Sequence, residues 1–317
     1  MAPSFNVRIF RWTDLESITA IFNDINGLGG TEKAFDVGFM RQFMSQPDMD
    51  PQEHCFVADL DDAVVGFALI SYEAPIGRAV ASGGVLGGFR RQGIGRELLK
   101  KALSHAEDLG VDVLHIEASS QGEAAQRMLE SAGFHKAKGY WQMQWTGDVS
   151  PTPSLPSGFS IRPFKIGQDE ERLTQLQNLA FGDNWGFSPN TVDQISARVR
   201  LDRVTPEGIL FITDNGKPAA YNWTMISADD SRATGFISMT GVHPDYRGRG
   251  LGKAIVAAGM QYLKGQGVDC IELEVDSDNT PATELYLKLG FRKVRETLWY
   301  EKTFPTPNGQ LSSEPGE

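Results

Sequence analysis

The strongest constraint on the fold of this chain is an internal repeat with a fixed offset of 157 residues. Segment 85–134 aligns without a gap on segment 242–291, and 12 of these 50 positions are identical. Four of the identical pairs are glycines, which indicates matched backbone requirements, and a repeat of this length indicates two copies of one domain. The identical pairs are Val85/Val242, Arg90/Arg247, Gly93/Gly250, Gly95/Gly252, Gly110/Gly267, Val111/Val268, Asp112/Asp269, Glu117/Glu274, Ser120/Ser277, Ala125/Ala282, Gly133/Gly290 and Phe134/Phe291.

The two copies also begin alike, because Phe5–Phe10 resembles Phe159–Phe164 at an offset of 154. Between the copies lies a segment with three prolines and two glycines, which is typical of a semi-extended linker. A chain of 317 residues fits two domains. We expect an N-terminal domain at residues 1–146, a linker at 147–158, a C-terminal domain at 159–304 and a polar, disordered tail at 305–317.

Charge and composition exclude several classes of function. The net charge of -11 argues against a general nucleic-acid binder, because a phosphate backbone requires a basic face. No apolar run is long enough to cross a bilayer, and the N-terminus has no apolar signal-peptide core. We therefore expect a cytoplasmic protein with buried, reduced Cys55 and Cys270, no metal site and no membrane or nucleic-acid partner. The oligomeric state is not readable from the sequence.

Hydrophobic periodicity predicts the same order of elements in both copies. In the C-terminal copy it predicts strands at 159–164, 208–213, 219–226, 234–242, 271–275 and 291–302, with helices at 170–179, 191–201, 250–264 and 280–289. In the N-terminal copy it predicts strands at 57–60, 64–71, 80–86, 113–118 and 140–145, with helices at 93–109 and 123–132. This order predicts one mixed sheet flanked by helices in each copy.

The segment Arg247-Gly-Arg-Gly-Leu-Gly-Lys253 joins a predicted strand to a predicted helix. Its alternate glycines leave main-chain N–H groups uncovered, and the helix that follows adds its unpaired N-terminal donors and the positive end of its dipole. Two arginines and a lysine surround these donors with positive charge. Such an arrangement is typical of a diphosphate-binding loop.

Other phosphate loops do not fit this segment. A dinucleotide-binding loop requires Gly or Ala at the sixth position, where Lys253 or Ile255 stands, depending on the first glycine. A Walker A loop requires Gly and Ser or Thr where Arg247 and Ala254 stand. A glycine-rich turn without any ligand is the remaining alternative. The recurrence of the segment between a strand and a helix in both copies favours anion binding.

At these residues the chain resembles the GNAT N-acetyltransferases, whose acetyl-CoA signature is Arg/Gln-x-x-Gly-x-Gly/Ala. Arg247–Gly252 and Arg90–Gly95 both match that signature, and Asp278–Phe291 resembles the family's Asn-x-x-Ala-x-x-Leu-Tyr-x-x-x-Gly-Phe segment. The resemblance covers nearly the whole chain, and its tandem form looks most like the mycothiol synthase type of double GNAT protein. It implies an α/β (α+β) chain of two tandem GNAT-like domains, each a mixed, mostly antiparallel sheet flanked by helices.

The resemblance also implies acetyl-CoA as the co-substrate, without a metal. It assigns the pantetheine arm to main-chain groups of Thr240, Gly241 and Val242 and to the side chain of Asn279. The diphosphate is assigned to Arg247, Gly248, Arg249, Gly250, Leu251, Gly252 and Lys253, and the matched residues of the first copy are Val85, Arg90, Arg91, Gly93, Gly95 and Arg96.

Catalysis requires a proton donor for the departing thiolate and a base for the amine. The resemblance assigns the donor to Tyr286, although this residue could also be an ordinary core tyrosine. Mycothiol synthase-like proteins carry a Glu base where this chain has Phe236, so the base must lie elsewhere. Glu274 is our substitute, with Glu272, Asp276 and an ordered water as competitors.

The acceptor site is less clearly marked. Trp185 and Phe187 fall in the loop where this family shapes its acceptor site, and they either line an apolar wall or pack the loop against the core. Asn222, between Tyr221 and Trp223 on a strand, is a third candidate for substrate binding with the same ambiguity.

The two copies are expected to differ in activity. Leu129 stands where the second copy has Tyr286, and Gly122 stands where it has Asn279. The first copy should therefore bind acetyl-CoA weakly or not at all and perform no chemistry. For the whole chain we expect an N-acetyltransferase that acts on a primary amine of a small molecule. The alternatives are mycothiol synthase-like acetylation of a cysteinyl pseudodisaccharide, peptide acetylation, and a non-catalytic acetyl-CoA sensor.

Overall fold

The chain folds as two units, each built around one mixed sheet. The computed structural model describes residues 5–27, 35–228 and 233–305. The N-terminal unit comprises the described parts of Met1–Ile25, Met49–Ala137 and Leu298–Glu317, and the C-terminal unit comprises those of Asn26–Asp48 and Lys138–Thr297. The predicted disordered tail lies outside the described residues, apart from residue 305.

The sheet of the N-terminal unit has the order β1-β2-β3-β4-β5-β12. Its strands are antiparallel from β1 to β4, and β5 runs parallel to β4. The elements are β1 (Asn6–Ile9), α1 (Leu15–Gly27), α2 (Val37–Met44), α3 (Pro51–His54), β2 (Cys55–Leu60), β3 (Ala63–Glu73), β4 (Arg78–Val85), α4 (Ile94–Asp108), β5 (Val113–Ser119), α5 (Glu123–Ser131) and β6 (His135–Trp145), of which α2 and most of β6 belong to the other unit.

The sheet of the C-terminal unit has the order β6-β11-β10-β9-β8-β7. Only the pair β10 and β11 is parallel among these neighbours. The elements are β7 (Phe159–Pro163), α6 (Glu170–Phe181), α7 (Val192–Arg198), β8 (Ile209–Asp214), β9 (Lys217–Ala228), β10 (Ala233–Val242), α8 (Leu251–Gly265), β11 (Cys270–Asp276), α9 (Thr280–Lys288) and β12 (Arg292–Thr303).

The backbone confirms the mixed, mostly antiparallel sheets and the repeat of the fold. Positive φ angles recur at the offset of 157 in four pairs of residues, which are Arg91/Gly248, Gly93/Gly250, Gly110/Gly267 and Gly133/Gly290. A left-handed conformation disfavours residues with a Cβ atom, so the recurring glycines reflect recurring turns. Each copy also contains a bidentate clamp that the sequence analysis did not identify, Arg8–Asp14 in one and Arg162–Asp169 in the other.

The division into units differs from the linear division at residues 147–158. Residues 140–145 of β6 pair with β11 inside the C-terminal unit, whereas residues 298–303 of β12 belong to the N-terminal unit. The helix α2 also belongs to the C-terminal unit. Each unit therefore takes at least one element from the other half of the sequence, because a terminal strand can complete any sheet edge that matches its apolar pattern.

The core of the C-terminal unit lies on both faces of its sheet. We call these the α8 face, which α8 and α9 cover, and the α6 face, which α6 and α7 cover. Ile237, Leu273 and Tyr286 pack together on the α8 face. Tyr221 and Trp223 pack on the α6 face with residues of α6 and α7. Because successive residues of a strand point to opposite faces, Glu272, Glu274 and Asp276 lie on the α6 face.

Candidate active site

The strands β10 and β11 separate halfway along their length. Their residue pairs run from Thr234–Cys270 to Ile237–Leu273 and end there, while β10 remains paired with β9 as far as Val242. A β-bulge between Ile237 and Met239 coincides with the separation. Main-chain groups of β10 beyond the bulge therefore face an opening on the β11 side, where an extended ligand can add hydrogen bonds.

The helix α8 begins at the mouth of this opening. Its first turn follows Gly250, whose φ is 80°, and Gly248 has a φ of 77°. A Cβ atom at either position would meet no atom within 4 Å, so backbone conformation rather than crowding requires glycine. No side chain caps the helix, and the first-turn N–H groups are thus available to an anion.

Positive side chains surround these N–H groups. Arg247, Arg249 and Lys253 are exposed, and within residues 5–27, 35–228 and 233–305 none of them forms an ion pair. Arg249 lies over the Tyr246 ring, with its guanidinium carbon 5.1 Å from the ring centroid. Leu251 is buried and anchors the first turn of α8, and Gly252 would keep ordinary contact distances to Val242 even with a Cβ atom.

The residues Thr240, Gly241 and Val242 line the opening. The Thr240 hydroxyl accepts a hydrogen bond of 2.6 Å from the Asn222 amide. A Cβ atom at Gly241 would lie 2.6 Å from Cε1 of Tyr221, so the Tyr221 ring covers the α6 face of this strand. Glycine at 241 is therefore what allows an aromatic ring to lie against the strand at the opening.

Tyr286 is placed beside the end of the β10–β11 pairing. It is 8% exposed, packs in one cluster with Ile237 and Leu273, and meets the Phe291 ring edge to face at 5.8 Å. Burial raises the pKa of its hydroxyl to about 12. Tyr286 is thus part of the core and at the same time a hydroxyl that stays protonated at neutral pH.

Asn279 precedes the helix α9 and caps it. Its side-chain oxygen accepts a hydrogen bond of 3.2 Å from the Ala282 N–H. The matched Gly122 provides no such cap to α5. The carbonyl oxygen of Asn279 is therefore engaged by the helix, and the amide nitrogen is the atom that remains for a ligand.

The candidate bases on β11 have different surroundings. Glu274 is exposed and lies one residue beyond the last β10–β11 pair. Glu272 is 4% exposed, stands beside Phe236 in the sheet, and accepts hydrogen bonds of 2.9 and 3.2 Å from Gln142 and Gln144. Asp276 pairs with Lys138 at 3.1 Å. Of these three carboxylates, Glu274 is the most exposed, and it directly follows the point where the β10–β11 pairing ends.

The predicted acceptor residues separate into two groups. Phe187 stacks on Phe181 with their ring centroids 5.8 Å apart, and a Cβ atom at Gly241 would lie 3.2 Å from Cε2 of Phe181. Trp185 is half-buried in the same loop. Asn222, in contrast, is 0% exposed on the α8 face, where its side-chain oxygen would lie 2.1 Å from a Cβ atom at Gly259. At this position α8 covers the side chain of Asn222, and the amide donates to Thr240, so substrate binding by Asn222 stays a prediction.

The matching loop of the N-terminal unit keeps the geometry but only part of the charge. Gly93 precedes α4 with a φ of 89°, and Arg91 adopts the left-handed conformation of Gly248. Arg90 donates to the Val85 oxygen at 2.7 Å and pairs with Asp24 at 2.5 Å. Arg96 follows in the first turn. An acidic side chain therefore neutralises one of the positive groups in this copy.

A cavity of about 100 Å³ lies between β4, β5, α4 and α5 of the N-terminal unit. Ser82, Gly84, Gly95 and Glu117 are among the residues that line it. Its place between the two strands corresponds to the opening in the C-terminal unit. The N-terminal unit thus retains the space as well as the loop.

Two further observations concern the expected environment of the protein. Cys55 and Cys270 are both free and buried, and burial raises the pKa of the Cys55 thiol. Among the residues that the structure describes, no helix is long and apolar enough to cross a membrane.

The arrangement of an uncapped helix after a glycine-rich loop, beside two separating parallel strands, is that of an acyl-CoA-dependent acyltransferase. Residues 15–134 and 171–291 each match the family model described as the acetyltransferase (GNAT) family. The chain belongs to this family and is an acyltransferase that acts on amines, with the GNAT domain present twice.

Curated relatives match this chain over most of its length. A mycothiol acetyltransferase of Stackebrandtia nassauensis is 30% identical over 262 residues, which cover 80% of this chain and 84% of the relative. A mycothiol acetyltransferase of Thermobispora bispora is 32% identical over 246 residues, which cover 76% of this chain and 81% of the relative.

Solved structures match the fold over almost the whole chain. A GCN5-related N-acetyltransferase from Sphaerobacter thermophilus superposes with a TM-score of 0.75 at 21% identity, covering 94% of this chain and 95% of that chain. A tandem GNAT protein from the clavulanic acid biosynthesis pathway superposes with a TM-score of 0.73 at 18% identity, covering 95% and 98%. At these identities the likeness supports the tandem fold alone.

Proposed function

We propose that the C-terminal unit transfers the acetyl group of acetyl-CoA to a primary amine of a small molecule. The observation that carries this proposal is the opening between β10 and β11 with the uncapped start of α8 at its mouth. The loop from Arg247 to Lys253 would hold the diphosphate, and main-chain groups of residues 240–242 would hold the pantetheine arm and the thioester carbonyl.

The proposed chemistry needs two proton transfers. The acceptor nitrogen attacks the thioester carbon as a neutral amine and loses its proton to a base, for which we propose Glu274, directly or through a water. The carbon–sulfur bond breaks, and the thiolate takes a proton from Tyr286. Because burial raises the pKa of Tyr286 to about 12, its hydroxyl holds this proton over the neutral range.

A second candidate acceptor is the cysteinyl pseudodisaccharide of mycothiol biosynthesis. The names of the curated relatives, at 30–32% identity, favour it. Phe236 weighs against it, because an apolar ring stands where the resemblance places a glutamate. Separate assays with this thiol compound and with a panel of simple amines distinguish the two acceptors.

We also propose that the N-terminal unit performs no chemistry. Leu129 replaces the tyrosine, and Asp24 reduces the charge of the loop by pairing with Arg90. The N-terminal unit should therefore bind acetyl-CoA more weakly than the C-terminal unit does. The buried reduced thiols support a cytoplasmic location.

The test is acetyl transfer to an amine panel, followed by mass spectrometry of the acetylated product and by release of free CoA thiol. Wild type should acetylate at least one amine, and Tyr286→Phe should do so far more slowly. Tyr300→Phe, which removes a hydroxyl in the N-terminal unit, is the control. Binding of acetyl-CoA without transfer to any amine would instead indicate a sensor.

A further inference from the structure

The loop that carries Trp185 and Phe187 is held in place by a network of hydrogen bonds. We call residues 182–191 the acceptor loop. Asn190 donates its N–H to the Asn178 side-chain oxygen at 2.9 Å, and the Asn178 amide donates to the Asn190 main-chain oxygen at 3.0 Å. This reciprocal pair fastens the far end of the loop to α6.

Arg198 continues the network from α7. One guanidinium nitrogen donates to the Asn190 side-chain oxygen at 2.6 Å, and the other pairs with Asp48 at 2.5 Å. The fork geometry of a guanidinium allows both bonds at once, which a lysine cannot reproduce. Arg198 therefore connects the acceptor loop to a residue that lies 150 positions earlier in the sequence.

The segment that carries Asp48 is itself held in place by other contacts. Residues 35–48, which we call the α2 segment, belong to the C-terminal unit. Gln42 donates to Asp202 at 2.5 Å and accepts from the Asp202 N–H at 3.1 Å. The Arg203 guanidinium lies 4.3 Å from the Phe39 ring centroid. These contacts fix the α2 segment at a second point, so Asp48 is a fixed partner for Arg198.

The opposite side of the acceptor loop leads to the opening between the strands. Phe187 stacks on Phe181, and Phe181 approaches Gly241. A shift of the loop would therefore move an aromatic wall next to the main-chain groups that are proposed to hold the thioester.

We propose that Arg198 and Asp48 are positioning residues for the acceptor amine, because they fix the shape of the acceptor loop. This inference rests on the proposed function of the C-terminal unit. It gives the first half of the sequence a role in the chemistry of the second. Neither residue touches the acetyl donor site, so the effect of the pair is confined to the acceptor.

The test uses the full chain with Arg198→Met, which keeps the apolar stem, and Arg198→Lys, which keeps the charge. Both should lower kcat/KM for the acceptor by up to about 100-fold, the size expected for a misplacement of about 1 Å, and leave the Kd for acetyl-CoA unchanged. Asp48→Asn should have a similar effect, and the double variant Asp48→Asn/Arg198→Met should cost little more than either single variant. Arg200→Met is the matched control, because Arg200 contacts Glu170 and Ser196 rather than the acceptor loop.

Hydrogen exchange of residues 182–191 provides a readout that does not depend on activity. Faster exchange in Arg198→Met, at an unchanged midpoint of global unfolding, is the expected result. Unchanged exchange of the loop would overturn the inference even if no amine proves to be a substrate. Faster exchange with an unchanged kcat/KM for the acceptor would overturn the inference while leaving the proposed function intact. A loss of kcat/KM for the acceptor that is matched by an equal loss of affinity for acetyl-CoA would do the same.

Discussion

The guanidinium of Arg247 donates a hydrogen bond of 2.9 Å to the main-chain oxygen of Ala180, near the end of α6. Since the acceptor of this bond is neutral, the positive charge of Arg247 remains available to an anion. The matched Arg90 pairs instead with the carboxylate of Asp24 at 2.5 Å. Arg247 thus connects the cofactor loop to the acceptor side in the C-terminal unit, whereas the matched Arg90 is neutralised in the N-terminal unit.

The two loops allow a matched test of which unit holds the productive acetyl-CoA. Gly250 and Gly93 both have positive φ angles and open surroundings, so a Cβ atom at either costs about 1–2 kcal/mol of backbone strain. Gly250→Ala should distort the N–H groups of the productive site and raise the KM for acetyl-CoA about tenfold, as 1.4 kcal/mol would. Gly93→Ala should lower stability by a similar amount and leave this KM unchanged.

Steady-state kinetics measures the KM for acetyl-CoA of both variants, and scanning calorimetry measures their stability. Equal increases of KM in the two variants would contradict the assignment of catalysis to the C-terminal unit.

Removing the hydroxyl of Tyr286 should slow the chemical step. Tyr286→Phe keeps the ring that packs against Phe291, so the fold should be retained. Loss of a general acid lowers kcat by about 100-fold or more, with little change in the KM for acetyl-CoA. The control Tyr300→Phe should keep kcat within about twofold of wild type, because Tyr300 lies in the N-terminal unit. A Tyr286→Phe enzyme with full turnover would remove this residue from the mechanism.

Local signals in the sequence predicted most of the C-terminal unit. The glycines at 248 and 250 and the strand–helix junction around them were visible because a positive φ limits the choice of residue. The exchange of β6 and the end of β12 was not visible, because both strands have the alternating pattern that any matching edge accepts. Linear spacing therefore gave the number of copies but not the composition of the compact units.

The site residues likewise divide into those that a local sequence pattern marks and those that it does not. Tyr286 followed from a motif, whereas the burial of Asn222 under α8 was not visible, because strand alternation separates it from Tyr221 and Trp223 without showing which face a helix covers. Asp48 and Arg198 meet across 150 positions, and no local pattern marks such a pair. Asp24 is likewise a helix residue whose meaning depends on the loop that folds against it.

Acidification should destabilise the N-terminal unit through His115. Burial lowers the pKa of this imidazole despite the Glu301 carboxylate 2.7 Å away. As the pH falls through about 6.5, the unfolded chain therefore binds a proton before the folded chain does, and the free energy of unfolding decreases. The variant His115→Gln keeps a donor for Glu301 but cannot titrate. The free energy of unfolding of this variant should therefore decrease less between about pH 7.5 and about pH 5.5 than that of wild type.

Urea unfolding at the two pH values measures this difference. His135→Gln, which removes an exposed imidazole 3.4 Å from the same carboxylate, is the control and should behave as wild type does. An identical pH dependence in wild type and His115→Gln would exclude His115 as the cause.

Cutting the chain at the linker should not release a stable catalytic fragment. A fragment of residues 159–305 lacks β6, whose residues 140–145 pair with β11 and whose Met143 and Trp145 are buried in the core around Tyr286. Loss of these side chains and exposure of the β11 edge should leave the fragment aggregated or without a cooperative unfolding transition. A fragment of residues 138–305 restores the strand and should recover part of the stability, so comparison of their thermal unfolding isolates the contribution of β6. A monomeric fragment 159–305 that unfolds as cooperatively as the fragment with β6 would show that the strand exchange is dispensable for the C-terminal unit.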